Sequence, residues 1–356
     1  MNTFRMMLTV GLVGLVASGA RADWTVVSLH PAGATSSWAG AVCGGQQVGY
    51  ANMGGPTLAS LWSGTAASWV NLNIPGAAPS VANSTDGSQQ AGAVSADDGP
   101  HAILWAGSAS SWVDLHPSGA YSSLATGQYG NQQAGAICNL SYAWHAGLWT
   151  GSAASWVDLN PAGATESYAE DVSGGHQVGY ADVGGIERAS LWSGTATSWV
   201  DLNPAGACSS GANDVYGNQQ VGWAFIGNVY RAGLWSGTAA SWVDLNPLGA
   251  SESSGRGVFG GQQVGYAVLG TYEHASLWSG SAGSWVDLHA FLPSGFTRSW
   301  AEDIWSDGLH TYVVGYGRNA PYLREEALMW IGPVPEPATG LALPAALAAL
   351  VLFRRR

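Results

Sequence analysis

The chain has 356 residues, of which only 10% are charged, with 51 glycines, 19 tryptophans and no lysine. So little charge with so many aromatics excludes a disordered chain, which lacks the apolar surface to order itself. A formal net charge of −12 disfavours nucleic acid and anionic lipid as partners, since such a field repels phosphate.

At the N-terminus, Arg5 precedes an apolar run from Met6 to Val16 and then Ala20-Arg21-Ala22. Basic, apolar and small-x-small is the order of a secretory signal peptide. Residues 1–22 are therefore expected to be removed, with Ala20 and Ala22 read by the peptidase and Asp23 as the first mature residue.

The body, 23–333, is a repeat. Leu29, Leu72, Leu115, Leu159, Leu202, Leu245 and Leu288 recur at steps of 43 or 44 residues. Trp62, Trp105, Trp149, Trp192, Trp235, Trp278 and Trp330 form a second series. In the unit from Gly211 to Pro247, four pieces stand between Gly, Asn, Ser and Pro: Ala212–Val215, Gln219–Ala224, Ala232–Trp235 and Ser241–Leu245. That is a strand-and-turn pattern, and the lack of any 3.6-residue period excludes a helical solenoid. Gly44-Gly45, Asp86-Gly87, Gly130-Asn131, Gly174-Gly175, Gly217-Asn218 and Gly260-Gly261 join the first two pieces and suit the positive φ of tight hairpins.

Four short strands per unit predict an all-β protein, a β-propeller. The phase of the repeat predicts closure. Trp24–Leu29 reads as a lone fourth strand, whereas Ala301–Ile304, Tyr312–Tyr316 and Ala327–Trp330 read as strands one to three of an unfinished unit. Together they make a seventh blade, so the expectation is a seven-bladed ring closed by its N-terminal strand, leaving no open edge there. Thirteen of the nineteen tryptophans fall at the third- and fourth-strand positions, where they are expected to fill the wedges between blades.

Catalytic signatures are absent: there is no G-x-S-x-G, H-E-x-x-H or C-x-x-C, and a phosphate loop needs a lysine. Gly255-x-Gly257-x-x-Gly260 crosses a strand and turn with no helix after it, so it is not a dinucleotide motif. His101, His145 and His274 share one repeat phase and would be spread around the ring, too far apart to share a metal ion. Neither metal nor cofactor is expected. Asp114, Asp158, Asp201, Asp244 and Asp287 read as turn caps. Cys43, Cys138 and Cys208 occupy different phases and imply no regular disulfide framework.

At the C-terminus, 334–356, Val334-Pro335-Glu336-Pro337 precedes an apolar run to Phe353 and then Arg354-Arg355-Arg356. The run would span about 24 Å as a helix at ~1.5 Å per residue, short of a ~30 Å hydrocarbon core. The terminal arginines would keep that end cytoplasmic and the body outside. This tail resembles the PEP-CTERM sorting signal of Gram-negative bacteria. The resemblance implies a transient membrane anchor, with Pro335, Glu336 and Pro337 as a processing site for an exosortase-type membrane protease and the cell surface or extracellular space as the destination. The repeat resembles bacterial extracellular repeats of the HAF type, through Gln262-Gln263-Val264-Gly265-Tyr266 with His274-Ala275-Ser276-Leu277-Trp278. That family brings an architecture without a defined activity.

The variable loops between second and third strands share a face with the links between blades, where propellers usually bind. Their aromatics Tyr142, Trp144, Tyr230, Tyr272 and Tyr322, with Trp300 and Trp305 of the longer seventh unit, are the candidate ligand-binding residues, suited to stacking on sugar rings. The expected function is non-catalytic binding of exopolysaccharide or a surface protein in the extracellular matrix. The alternatives are a polysaccharide-degrading hydrolase or lyase, which would need converging carboxylates among Asp97, Asp98, Glu302, Asp303, Glu325 and Glu326, and a purely structural surface component.

Overall fold

In the computed structural model, which describes residues 24–320 and 322–334, every repeat folds into one four-stranded antiparallel sheet. The first blade comprises Ser36–Cys43, Gln46–Asn52, Thr57–Trp62 and Val70–Asn71. Five further blades begin at Ser80, Ser122, Ala164, Ser209 and Glu252. The seventh combines Phe296–Ser306, His310–Asn319 and Arg324–Pro333 with the N-terminal strand Thr25–Ser28. Val26 pairs with Trp330 and Ser28 with Leu328, so the chain is a seven-bladed β-propeller closed as its repeat phase predicts. First strands are innermost. The signal segment with Ala20, Ala22 and Asp23, and the triplet Pro335, Glu336 and Pro337, lie outside the described residues.

Third-strand tryptophans are the wedges. All seven are 0% exposed, and Trp235 sits with Leu202 and Leu191 of the blade before it. Its Nε1 donates to the Leu202 carbonyl at 2.8 Å.

The other tryptophan series joins the wedges but does not sit within a strand. The fourth strand is only two residues, Val70–Asn71 in the first blade and Val243–Asp244 in the fifth. Its tryptophan instead ends a 3-10 turn, because the serine before it bends back: Ser241 Oγ accepts from Ser236 N at 2.7 Å and donates to the Thr238 carbonyl at 2.6 Å. A strand this short leaves little outer edge for another chain to pair with. These tryptophans lie across the third strand, and Trp69, Trp156, Trp199, Trp242 and Trp285 pack on the interblade clusters from there, Trp242 with its ring 4.6 Å from that of Trp235; their footing follows one residue of that strand. Where it is Ser60, Ser190 or Ser276, the hydroxyl accepts from the indole of Trp69, Trp199 or Trp285 at 2.8 to 2.9 Å. Where it is Gly147 or Gly233, the ring of Trp156 or Trp242 occupies the space a Cβ would need. Where it is Ile103, Trp112 is left 44% exposed.

Each blade is stitched to the next by one hydroxyl. Ser210, 0% exposed, accepts from Ala189 N of the preceding blade at 2.9 Å and donates to Asn203 Oδ1 at 2.6 Å. The same serine recurs at Ser37, Ser80, Ser123, Ser167, Ser253 and Ser299, each accepting from a third-strand alanine amide. Histidine replaces the asparagine at three seams: His30 Nδ1 lies 2.7 Å from Ser37 Oγ, His116 Nδ1 2.9 Å from Ser123 Oγ and His289 Nδ1 2.8 Å from Ser299 Oγ. His30 lies at the closing seam.

Every first strand also carries a bulge, one extra residue opposite the second strand. In the first blade Ala39 pairs with Gly49 and Ala41 with Val48, leaving Gly40 over. The strand's carbonyl folds against the partner there, so a Cβ at Gly49 would overlap the Trp38 carbonyl oxygen. The repeated glycine of the second strand is thereby explained.

Candidate functional site

The bulges decide what faces the axis. The first strands enclose a central channel of about 530 Å³, and the bulge places Gly40, Asn83, Thr126, Glu170, Asn213, Arg256 and Glu302 around it, one from each blade. Four positions are neutral; three are charged. Arg256 acts on both Glu170 and Glu302, drawing their carboxyls down against burial, which pushes both up. The Trp38 side chain hydrogen-bonds Glu302.

One residue further along each strand stand Asp171, Asp214 and Asp303. They bind neighbouring backbone: Val42 N donates to Asp303 Oδ2 at 2.8 Å and Val258 N to Asp214 Oδ2 at 2.5 Å, each from the next blade. Asp171 and Asp214 hydrogen-bond each other. Burial raises all three, helped at Asp303 and Asp171 by the Asp214 charge, and Asp303 is pushed up to about 8. Gly127 and Gly257 take this position in two other blades, where a Cβ would press on the backbone of Asp171 or Asp303.

On the other side of the bulge, towards the face of the interblade links, stand aromatic pairs. Trp38 stacks on Tyr50 with ring centroids 5.7 Å apart, Tyr168 on Tyr180 at 5.9 Å, and Trp300 on Tyr316 at 4.6 Å. Trp223, opposite Gly211, and Tyr266, opposite Ser254, complete a crescent on five blades. The second and third blades have Val81 with Ala93 and Leu124 with Ala136 there. The crescent closes on the charged positions. Burial and then the Glu170 charge raise Tyr168 and push Tyr180 up to about 12, while burial and then Glu302 raise Tyr316. A second cavity of about 160 Å³ opens beside the channel, lined by Trp223, Tyr230, Glu252, Ser254, Tyr266 and Arg256, which lines both.

The residues singled out from sequence do not form one site. Trp300 belongs to the crescent, whereas Trp305, five residues on, lines the channel towards its opposite mouth and packs on Tyr312 at 5.8 Å. Five residues of strand rise about 16 Å, too far for both to hold one sugar ring. Tyr230 lines the smaller cavity and Trp144 meets Tyr168 at 5.4 Å, so both extend the crescent. Tyr142 packs on Tyr121 at 5.0 Å; Tyr272 and Tyr322 lie beneath Arg298 and Arg324, at 5.0 and 4.6 Å. Glu170, Arg256 and the tyrosines of the crescent went unselected. The signal for the two charged residues was substitution at the bulge, one position in each repeat.

Asp114, Asp158, Asp201 and Asp244 cap turns, as expected, through Oδ1, as where Asn203 N donates to Asp201 at 2.8 Å, whereas Asp287 Oδ1 is buried without a partner. Oδ2 has a second use. It pairs with His101, His145, Arg188, Arg231 and His274 of the neighbouring third strand at 2.8 to 3.1 Å. These three histidines are thus half-buried and engaged, each on its own blade. In the first blade both partners change together, to Leu58 on the third strand and Asn71 on the fourth. The three cysteines are free.

No protein-family profile matches the sequence, and no curated protein matches it. Solved structures do. The chain is similar to the β-propeller domain of the Trilobed protease from Pyrococcus furiosus, which has an open velcro topology, at 8% identity and a TM-score of 0.54, covering 87% of this chain and 99% of that one. It is similar to the Pyrococcus horikoshii acylaminoacyl peptidase at 9% identity and 0.53, covering 90% and 54%, and to a Mycobacterium tuberculosis puromycin-hydrolyzing peptidase at 13% and 0.53, covering 88% and 55%. The chain spans about half the length of these two peptidases, and at such identity the likeness shows the fold alone.

Proposed function

We propose that this protein is exported, processed at its tail by an exosortase-type membrane protease, and acts at the cell surface or in the extracellular matrix as a non-catalytic propeller that binds polysaccharide. The observation that carries the binding reading is the aromatic crescent, present on five blades and missing from two, at one mouth of a channel holding carboxylates and a guanidinium. Indole and phenol faces stack on the apolar faces of sugars while the charged groups bond hydroxyls. Orientation agrees with a tethered precursor. Thr25–Ser28 and Arg324–Pro333 are antiparallel, so residues 24 and 334 both leave at the face opposite the crescent. A tail attached there points the crescent away from the membrane.

Hydrolysis is the weaker reading. Asp171 and Asp214 are close enough to hydrogen-bond each other, nearer than the ~5 to 9.5 Å separating the two carboxyls that flank a scissile glycosidic bond.

The test is calorimetric titration of the protein with exopolysaccharide from the producing bacterium, followed by sizing of the polymer. Saturable binding that falls at least about tenfold in Trp300→Ala and is unchanged in Trp305→Ala is expected, with the polymer intact. Shortened polymer, or equal loss in both variants, would overturn the reading.

A further inference from the structure

We infer that the channel below the crescent holds a cationic group, so that the saccharide proposed above is one carrying free amines, of glucosamine type. The inference rests on that reading of the crescent and adds the chemistry of the ligand.

Five carboxyls, Glu170, Asp171, Asp214, Glu302 and Asp303, line one channel, and Arg256 is the single arginine lining it. The aspartates are engaged with backbone amides or with each other. The glutamates are left for a guest. Glu170, half-buried where it lines the channel, makes no side-chain hydrogen bond among the described residues, and Glu302 has only the Trp38 side chain. Arg256 is drawn to one side, its guanidinium 5.8 Å from the Tyr266 ring, where it also lines the smaller cavity.

A carboxylate with free acceptor positions beside π faces suits an ammonium group, which donates charge-assisted hydrogen bonds to the one and is attracted by the quadrupole of the other. Among the described residues no three carboxylate, histidine or thiol groups are placed to hold a metal ion, so the arrangement favours an organic cation. A uronate would meet like charge, and an N-acetylated sugar brings no charge to neutralise.

The experiment is calorimetric titration at pH 7 of the whole protein with three hexasaccharides, those of glucosamine, N-acetylglucosamine and glucose. The glucosamine oligomer should bind at least about tenfold tighter than the other two, with an advantage that shrinks as salt is raised. Glu170→Gln and Glu302→Gln, which keep side-chain volume, should each reduce the ratio of the glucosamine oligomer's affinity to that of the glucose oligomer, whereas Trp305→Ala should leave that ratio unchanged. Equal affinity for all three overturns the cationic assignment and leaves the saccharide reading standing. Binding of none overturns both.

Discussion

Replacing Ser210 by alanine removes a hydroxyl that serves two blades at once. Its oxygen accepts from Ala189 N at 2.9 Å and its proton goes to Asn203 Oδ1 at 2.6 Å, in a place with 0% exposure. The Ala189 amide would be left buried without a partner, costing about 1 to 3 kcal/mol, and the lost hydroxyl–amide bond adds roughly 0.5 to 1.5 kcal/mol. Asn203 is only half-buried and can turn to water, so the total should lie near 2 to 4 kcal/mol. Urea unfolding followed by tryptophan fluorescence reads this directly. A double-mutant cycle with Asn203→Ala should show coupling of about 1 kcal/mol, since both residues belong to one relay. A loss below about 0.5 kcal/mol with the fold intact would refute the seam as a source of stability.

Other outcomes follow from the same packing. Trp235→Ala should cost about 3 to 5 kcal/mol because its ring is wholly buried between blades, whereas Trp112→Ala, at 44% exposure over Ile103, should cost under about 1 kcal/mol; urea midpoints compare them. For pH, Asp303, held at about 8, with Asp171 and Asp214 also raised, binds protons more tightly folded than unfolded, so its stabilisation is lost as pH rises towards 8. His30, His116 and His289 are lowered, chiefly by burial, and so oppose this only below about 6.5. Thermal scans should therefore show Tm falling between pH 6.5 and 8, and a rising Tm would refute the assignment. Among the thiols, burial pushes Cys43 up to about 11 and raises Cys138, while Cys208 is exposed. Native alkylation at pH 7.4, mapped by mass spectrometry, should label Cys208 first.

Blade number and closure were legible because they depend on spacing: the leucine and tryptophan series mark each unit, and Trp24 to Leu29 stand in phase with a missing fourth strand. The short fourth strand was not, since Ser241-Trp242-Val243-Asp244-Leu245 alternates like a strand and only the backward bond of Ser241 shows that its first half is a turn. The cation–carboxylate pairs were visible in principle, in the joint change to Leu58 and Asn71. The channel was harder. Glu170, Arg256 and Glu302 are far apart in the chain, and only the closed ring with a bulge in every first strand brings them to one axis. Attention to variable loops found Trp144 and Tyr230 at the edge of the crescent and missed its centre.

Hydroxyl-radical footprinting with and without saturating exopolysaccharide tests the central claim most directly, because it reads aromatic exposure residue by residue. Protection is expected at Trp38, Tyr168, Trp300 and Tyr316, with no change at Tyr129, Tyr216 and Trp305 around the opposite mouth. Protection confined to that mouth or to the outer tryptophans, or none at all, would contradict that claim.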